Sequence, residues 1–233
     1  MFRILVTTTI AALTFPFLSH ADIAVKSGEK VAFLGDSITQ GGWSNSKGYV
    51  KLTIAGLKAN GVEVEAVPAG ISGHKSNQML ARLENDVLSK KPQWMTLSCG
   101  VNDVWHGTKG VPLDDYKKNI REIIDKCDAA NVKVVILTAT VIKEQLDSPE
   151  NQKLAAYNDF LRDLAKEKNL RLADLNAMFQ ERIKAANAPD TKTLTSDGVH
   201  MNDAGNAVMA EGVLRAFGVN DAGLEKAREA WGK

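Results

Sequence analysis

The feature that most restricts the fold is a repeated pattern of five short apolar runs, each broken by small or polar residues and most followed by a segment of helical period. The runs are residues 30–34, 62–67, 94–99, 132–139 and 170–175. The fourth is apolar almost throughout, as in a strand buried on both faces of a parallel sheet. The second alternates apolar and acidic residues, so it reads as a half-exposed strand near a sheet edge. Between the runs, helical spacing is expected over about 48–60, 76–89, 113–127, from Ser148-Pro149 onward, 178–186 and 203–217, with residues 41–47 and 140–146 irregular. A chain alternating in this way predicts an α/β fold, a three-layer α/β/α sandwich around a doubly wound, five-stranded parallel sheet. Leu224, Ala227 and Trp231 near the end are expected to dock only weakly on its surface.

Composition sets the outer limits. A chain of 233 residues with 44% hydrophobic content can bury one sizeable core, so a single domain is expected over residues 22–233. With 29 basic and 28 acidic residues interspersed, the electrostatic footprint of a nucleic-acid binder is missing. Residues 1–21 begin Met1-Phe2-Arg3, continue as an apolar run and end in Ser19-His20-Ala21, which is a signal-peptide layout. The expected destination is therefore the periplasm or the extracellular space, with no membrane span in the mature chain; a retained anchor is the alternative. Cys99 and Cys127 sit at opposite ends of a strand and its following helix, too far apart for a disulfide, and are expected as buried free thiols. The histidines at 20, 74, 106 and 200 are scattered, so neither metal nor organic cofactor is implied.

The chemistry concentrates at the carboxyl ends of the strands, the edge where open α/β sheets bind ligands. Ser37 follows the first strand, the Gly70/Gly73 loop the second and Asn102 the third, while Asp197 and His200 come from a loop near the C-terminus. A serine hydroxyl is a weak nucleophile until a base takes its proton, and histidine suits that task near neutral pH. Asp197, three residues before His200, can hold the other ring nitrogen. Backbone amides and a side-chain amide such as that of Asn102 can receive the oxyanion formed on attack. Asp36, Asp103 and Asp174 read as structural: turn, loop and strand-end residues.

These residues fall in four blocks: Gly35-Asp36-Ser37-Ile38-Thr39, Ile71-Ser72-Gly73, Gly100-Val101-Asn102-Asp103 and Asp197-Gly198-Val199-His200. In this order and spacing the chain resembles the SGNH/GDSL hydrolases over residues 30–217. The resemblance implies the flavodoxin-like SGNH hydrolase fold, with Ser37 as nucleophile, His200 as general base and Asp197 as its orienting acid. It also implies an oxyanion hole made by the Ser37 amide, the Gly73 amide and the Asn102 side chain. Two positions depart from the usual pattern, with Pro68 where an Asn often stands and His74 where an Asp often follows the glycine. The expected activity is hydrolysis of carboxylic esters through an acyl-enzyme. Short loops, the export signal and the likeness to secreted carbohydrate esterases favour an O-acetyl glycan as substrate. The alternatives are a lysophospholipase or thioesterase on longer acyl chains, and a non-catalytic glycan-binding protein. Trp105, His106, Trp43 and His74 flank the blocks as candidates for substrate contact, whereas the oligomeric state is left open.

Overall fold

The computed structural model describes residues 23–187 and 192–232, so the expected signal peptide lies outside the described residues. Apolar, β-rich sequence forms five parallel strands: β1 (Lys30–Gly35), β2 (Glu65–Gly70), β3 (Trp94–Ser98), β4 (Lys133–Leu137) and β5 (Arg171–Ala173). Their order is β2-β1-β3-β4-β5. The chain leaves β1 in one direction to reach β2, then crosses back to place β3 on the other side of β1. That reversal opens a crevice between the carboxyl ends of β1 and β3.

Helices cover both faces. Among the described residues these are α1 (Ser37–Ser44), α2 (Tyr49–Ala59), α3 (Ser76–Asp86), α4 (Val101–Trp105), α5 (Leu113–Ala129), α6 (Pro149–Glu167), α7 (Leu175–Ala186), α8 (Asp203–Ala216) and α9 (Asp221–Trp231). One layer is built on α2, α8 and α9 with α7 against α8, and the other on α3, α5 and α6. β1 and β3 are buried along almost their whole length, which fits their largely apolar sequences. Cys99 and Cys127 are both buried and free.

Four expectations need correction. The fifth run ends as a strand at Ala173, and the helix after it starts at Leu175 rather than near 178, because Asp174 caps it by accepting from the Ala177 amide. The second strand begins three residues later than its alternating pattern suggested, because pairing with β1 sets Lys30 opposite Glu65 and Phe33 opposite Pro68. Proline is acceptable there because β2 is an edge strand, where one row of backbone donors has no partner strand. The segment after Ser37, expected to run into a glycine-rich loop, is the helix α1. Its Gly42 is required by packing rather than flexibility: a Cβ there would fall 2.6 Å from the Tyr49 ring. The C-terminal segment is not a loose appendage. Leu224 and Ala227 of α9 are fully buried, and Trp231 Nε1 donates to the Leu52 carbonyl at 2.8 Å.

Close approach also governs the end of β2. A Cβ on Gly70 would lie 2.3 Å from the Gln40 backbone nitrogen in α1, and backbone cannot rotate away as a side chain can. Gly70→Ala is therefore expected to lower stability by about 1–3 kcal/mol, the usual cost of overpacking, as measured by urea denaturation.

Candidate active site

Ser37 is the first residue of α1, and Asp36 is its N-cap, accepting from the Ile38 amide at 2.9 Å. The cap turns the helix start toward the crevice. The Ser37 amide, one of the donors a helix start leaves without an intrahelical partner, has no protein acceptor among the described residues. Ser37 Oγ lies 2.9 Å from His200 Nε2, and His200 Nδ1 lies 2.7 Å from Asp197 Oδ2. With its proton on Nδ1, the ring donates a hydrogen bond to the Asp197 carboxylate, which leaves Nε2 to accept from the serine hydroxyl. The other Asp197 oxygen accepts from the Val199 and His200 amides at 2.9 and 2.8 Å, so one carboxylate shapes the turn and orients the ring. Partial burial alone would raise the Asp197 carboxyl. The bonds from the His200 ring and from the two amides reverse this and hold it at about 2.

The opposite wall is made by the ends of β2 and β3. Gly73 has φ +74°, a left-handed conformation that glycine adopts without strain, and its amide has no protein acceptor among the described residues. Asn102, in α4, donates from Nδ2 to Asp36 Oδ2 at 3.1 Å and to the His74 carbonyl at 3.3 Å. Its Oδ1 lies 3.2 Å from His106 Nε2. The amide is thus oriented from three sides. Burial pushes the Asp36 carboxyl up to about 6, opposed chiefly by its bond from Ile38.

Asp103 and Ser76 lock these loops together. Asp103 is fully buried, and one of its oxygens accepts from the Ser76 amide at 3.0 Å and the Ser76 hydroxyl at 2.6 Å. The start of α3, just beyond Gly73, is in this way tied to the Asn102 helix. Burial raises the Asp103 carboxyl despite these bonds. Arg82 braces the same loop from α3: Nη2 donates to the Gly35 carbonyl at 2.8 Å and Nε to His74 Nδ1 at 3.1 Å. Burial, and then the adjacent guanidinium, lower the His74 pKa.

Ser37, His200, Asp197, Asn102 and the Gly73 loop are therefore gathered at the switch-point crevice. The flanking residues have different settings. Trp105 is 43% exposed, and its ring centroid lies 6.4 Å from that of His106. His106 is turned onto Asn102, and His74 is held by Arg82. Trp43 is half-buried against the core with the Lys51 ammonium 3.5 Å above its ring. Asp174 caps α7 and pairs with Arg162. Ser76 and Arg82 carried no sequence signal, because each acts on a residue distant in the chain. No group of acidic, histidine and cysteine side chains able to hold a metal ion occurs among the described residues.

A serine at a helix start, linked to a histidine and an aspartate beside unpaired backbone amides on a doubly wound sheet, defines the serine-hydrolase class of site. Residues 33–208 match the GDSL-like Lipase/Acylhydrolase family, and the chain belongs to it. It is a hydrolase of ester bonds. It is similar to an acetylxylan esterase of Geobacillus stearothermophilus, 30% identical over 83% of this chain and 96% of the relative. Among solved structures it is similar to the acetyl xylan esterase AlAXEase, with TM-score 0.74 and 36% identity over 80% of this chain and 98% of that one. It is also similar to Axe2, an acetylxylan esterase from Geobacillus stearothermophilus, with TM-score 0.75 and 29% identity over 84% of this chain and 97% of that one.

The position of Asp36 has a measurable consequence for stability. Its folded pKa, about 6, exceeds its ordinary value of 3.8, so between these values the native state binds more protons than the unfolded state. Stability from this group therefore falls as pH rises from about 4 to about 6. Asp36→Asn keeps an N-cap oxygen and removes the titration. Thermal denaturation across that window should show a flatter pH dependence for the variant than for wild type.

Proposed function

We propose that the protein removes acetyl groups from an O-acetylated glycan, with Ser37, His200 and Asp197 as its catalytic residues. The observation that carries the reading is the continuous relay from Ser37 Oγ through His200 to Asp197, facing two amides without protein acceptors. Ser37 attacks the ester carbonyl as His200 Nε2 takes its proton. The developing oxyanion is received by the Ser37 and Gly73 amides and by Asn102 Nδ2. Of the two bonds from that nitrogen, the 3.3 Å bond to the neutral His74 carbonyl is the weaker, and a negatively charged oxyanion competes for its hydrogen. The bond to Asp36 keeps the amide aimed meanwhile. His200 then protonates the departing alcohol, and the same ring activates the water that releases acetate and regenerates Ser37.

The choice of a glycan rests on the named activity of the relatives and on exposed Trp105, whose indole offers a flat apolar surface of the kind sugar rings stack on. Export to the periplasm or beyond rests on the signal-peptide layout of residues 1–21. Among the described residues no helix is long and apolar enough to cross a membrane.

Acetate release from acetylated xylan should be abolished in Ser37→Ala, whereas retained wild-type activity would reject the nucleophile. Asn102→Ala should lower kcat by about a hundredfold or more, the usual cost of one oxyanion donor. On matched p-nitrophenyl esters, acetate should be released faster than octanoate; the reverse preference would point to a lysophospholipase or thioesterase.

A further inference from the structure

The loop that carries Asp197 and His200 is held from a second loop, residues 140–146, which follows β4 and has no part in the chemistry described above. Glu144 makes the grip. Its Oε2 accepts from the Thr193 amide at 2.7 Å, and its Oε1 accepts from the Leu194 amide at 2.8 Å, the Thr195 amide at 2.7 Å and the Thr195 hydroxyl at 2.7 Å. Three consecutive backbone donors thus converge on one carboxylate, two residues before Asp197. Partial burial pushes the Glu144 carboxyl up, and these four bonds more than reverse it, leaving the group below its ordinary range. A second hold lies next to the first. Lys143, at φ +61°, donates its amide to the Gly198 carbonyl at 2.7 Å, inside the Asp197–His200 turn itself. Gly198 permits this contact through its φ of +98°, and a Cβ there would lie 3.3 Å from Lys143 Cα.

The holding loop is itself fixed. Asn151, in the first turn of α6, accepts from the Ile142 amide and donates to the Ile142, Lys143 and Gln145 carbonyls. Bonds therefore run from α6 to the loop of residues 140–146, and from that loop to the segment that carries Asp197 and His200. Thr195 is fully buried and pairs with Met201 in an isolated antiparallel bridge, so its displacement shifts both ends of the turn.

We propose that Glu144 is a positioning residue for the reaction, holding residues 193–195 so that His200 Nε2 stays within hydrogen-bond reach of Ser37 Oγ. The proposal rests on the reading of Ser37 and His200 as the reacting pair. Only the full carboxylate suits this place. A glutamine would present an NH2 group to one of the two sides that now accept N–H groups, leaving donor facing donor.

The test compares wild type, Glu144→Gln and Thr195→Val on p-nitrophenyl acetate, with kcat and KM measured separately, below the melting temperature of each. The second-order rate of Ser37 labelling by a fluorophosphonate is measured in parallel, since labelling needs the same serine-histidine contact but no sugar. Small misplacement of a base costs rate rather than binding, so Glu144→Gln should lose roughly ten- to hundredfold in kcat with KM within about twofold. The labelling rate should fall by the same factor. Thr195→Val, which removes one of the four bonds, should show the same pattern with a smaller loss. If Glu144→Gln fails to fold, Thr195→Val decides alone. Unchanged kcat, a rise in KM alone, or a fall in kcat with labelling at the wild-type rate would overturn the proposal. A wild-type protein that the probe does not label at Ser37 would instead overturn the nucleophile assignment, and the proposal with it.

Discussion

The hydrogen bond from the Asn102 amide to the Asp36 carboxylate, 3.1 Å across the crevice, joins the two strand ends on which the site is built. Asp36 follows β1 and Asn102 follows β3, so the bond spans the point where the order of the sheet reverses. The same carboxylate caps α1 and so fixes the direction of the Ser37 amide. Placing a carboxylate at 2% exposure is costly without partners, and here both oxygens have one. Its pKa of about 6 is the residue of that cost, and it leaves the group ionised, and able to accept from Asn102, at neutral pH.

Carboxylates recur as fasteners throughout the site. Asp103 binds the start of α3, Asp197 shapes its own turn while orienting His200, and Glu144 gathers the amides of residues 193–195. Each accepts backbone N–H groups from a segment with no regular secondary structure or from the first turn of a helix, where donors otherwise lack partners. A site assembled from loops is ordered by such bonds, because loops lack the ladders that order strands. Arg82 adds a cationic brace beside the Gly73 loop, gripping a carbonyl and a ring nitrogen at once.

The residues that the structure gathers at the crevice are legible in the sequence because each block is local. Gly35-Asp36-Ser37 holds both the cap and the residue it caps, and Asp197-Gly198-Val199-His200 holds the carboxylate, the turn and the ring it orients. The parallel sheet was legible for the same reason, since apolar runs of strand length report burial on both faces. Local pattern misleads where contacts from elsewhere in the chain prevail over it. Gly41-Gly42 reads as a loop until the Tyr49 ring is seen to occupy the space beside Gly42, and the start of β2 is set by its register with β1. The tail looked loose because its period gives no measure of what it packs on; α2 supplies the partner.

The sequence by itself determined the fold class and singled out the serine, asparagine, aspartate and histidine of the four blocks, because strand burial, turn chemistry and the blocks are properties of neighbouring residues. Only the tertiary structure decided how those blocks are held. Ser76, Arg82 and Glu144 act on partners 27, 47 and about 50 residues away, and nothing in local spacing marks them. The flanking side chains were sorted by the same long-range contacts. Lys51 covers Trp43, Arg82 takes His74, Asn102 takes His106, and Trp105 is left facing solvent.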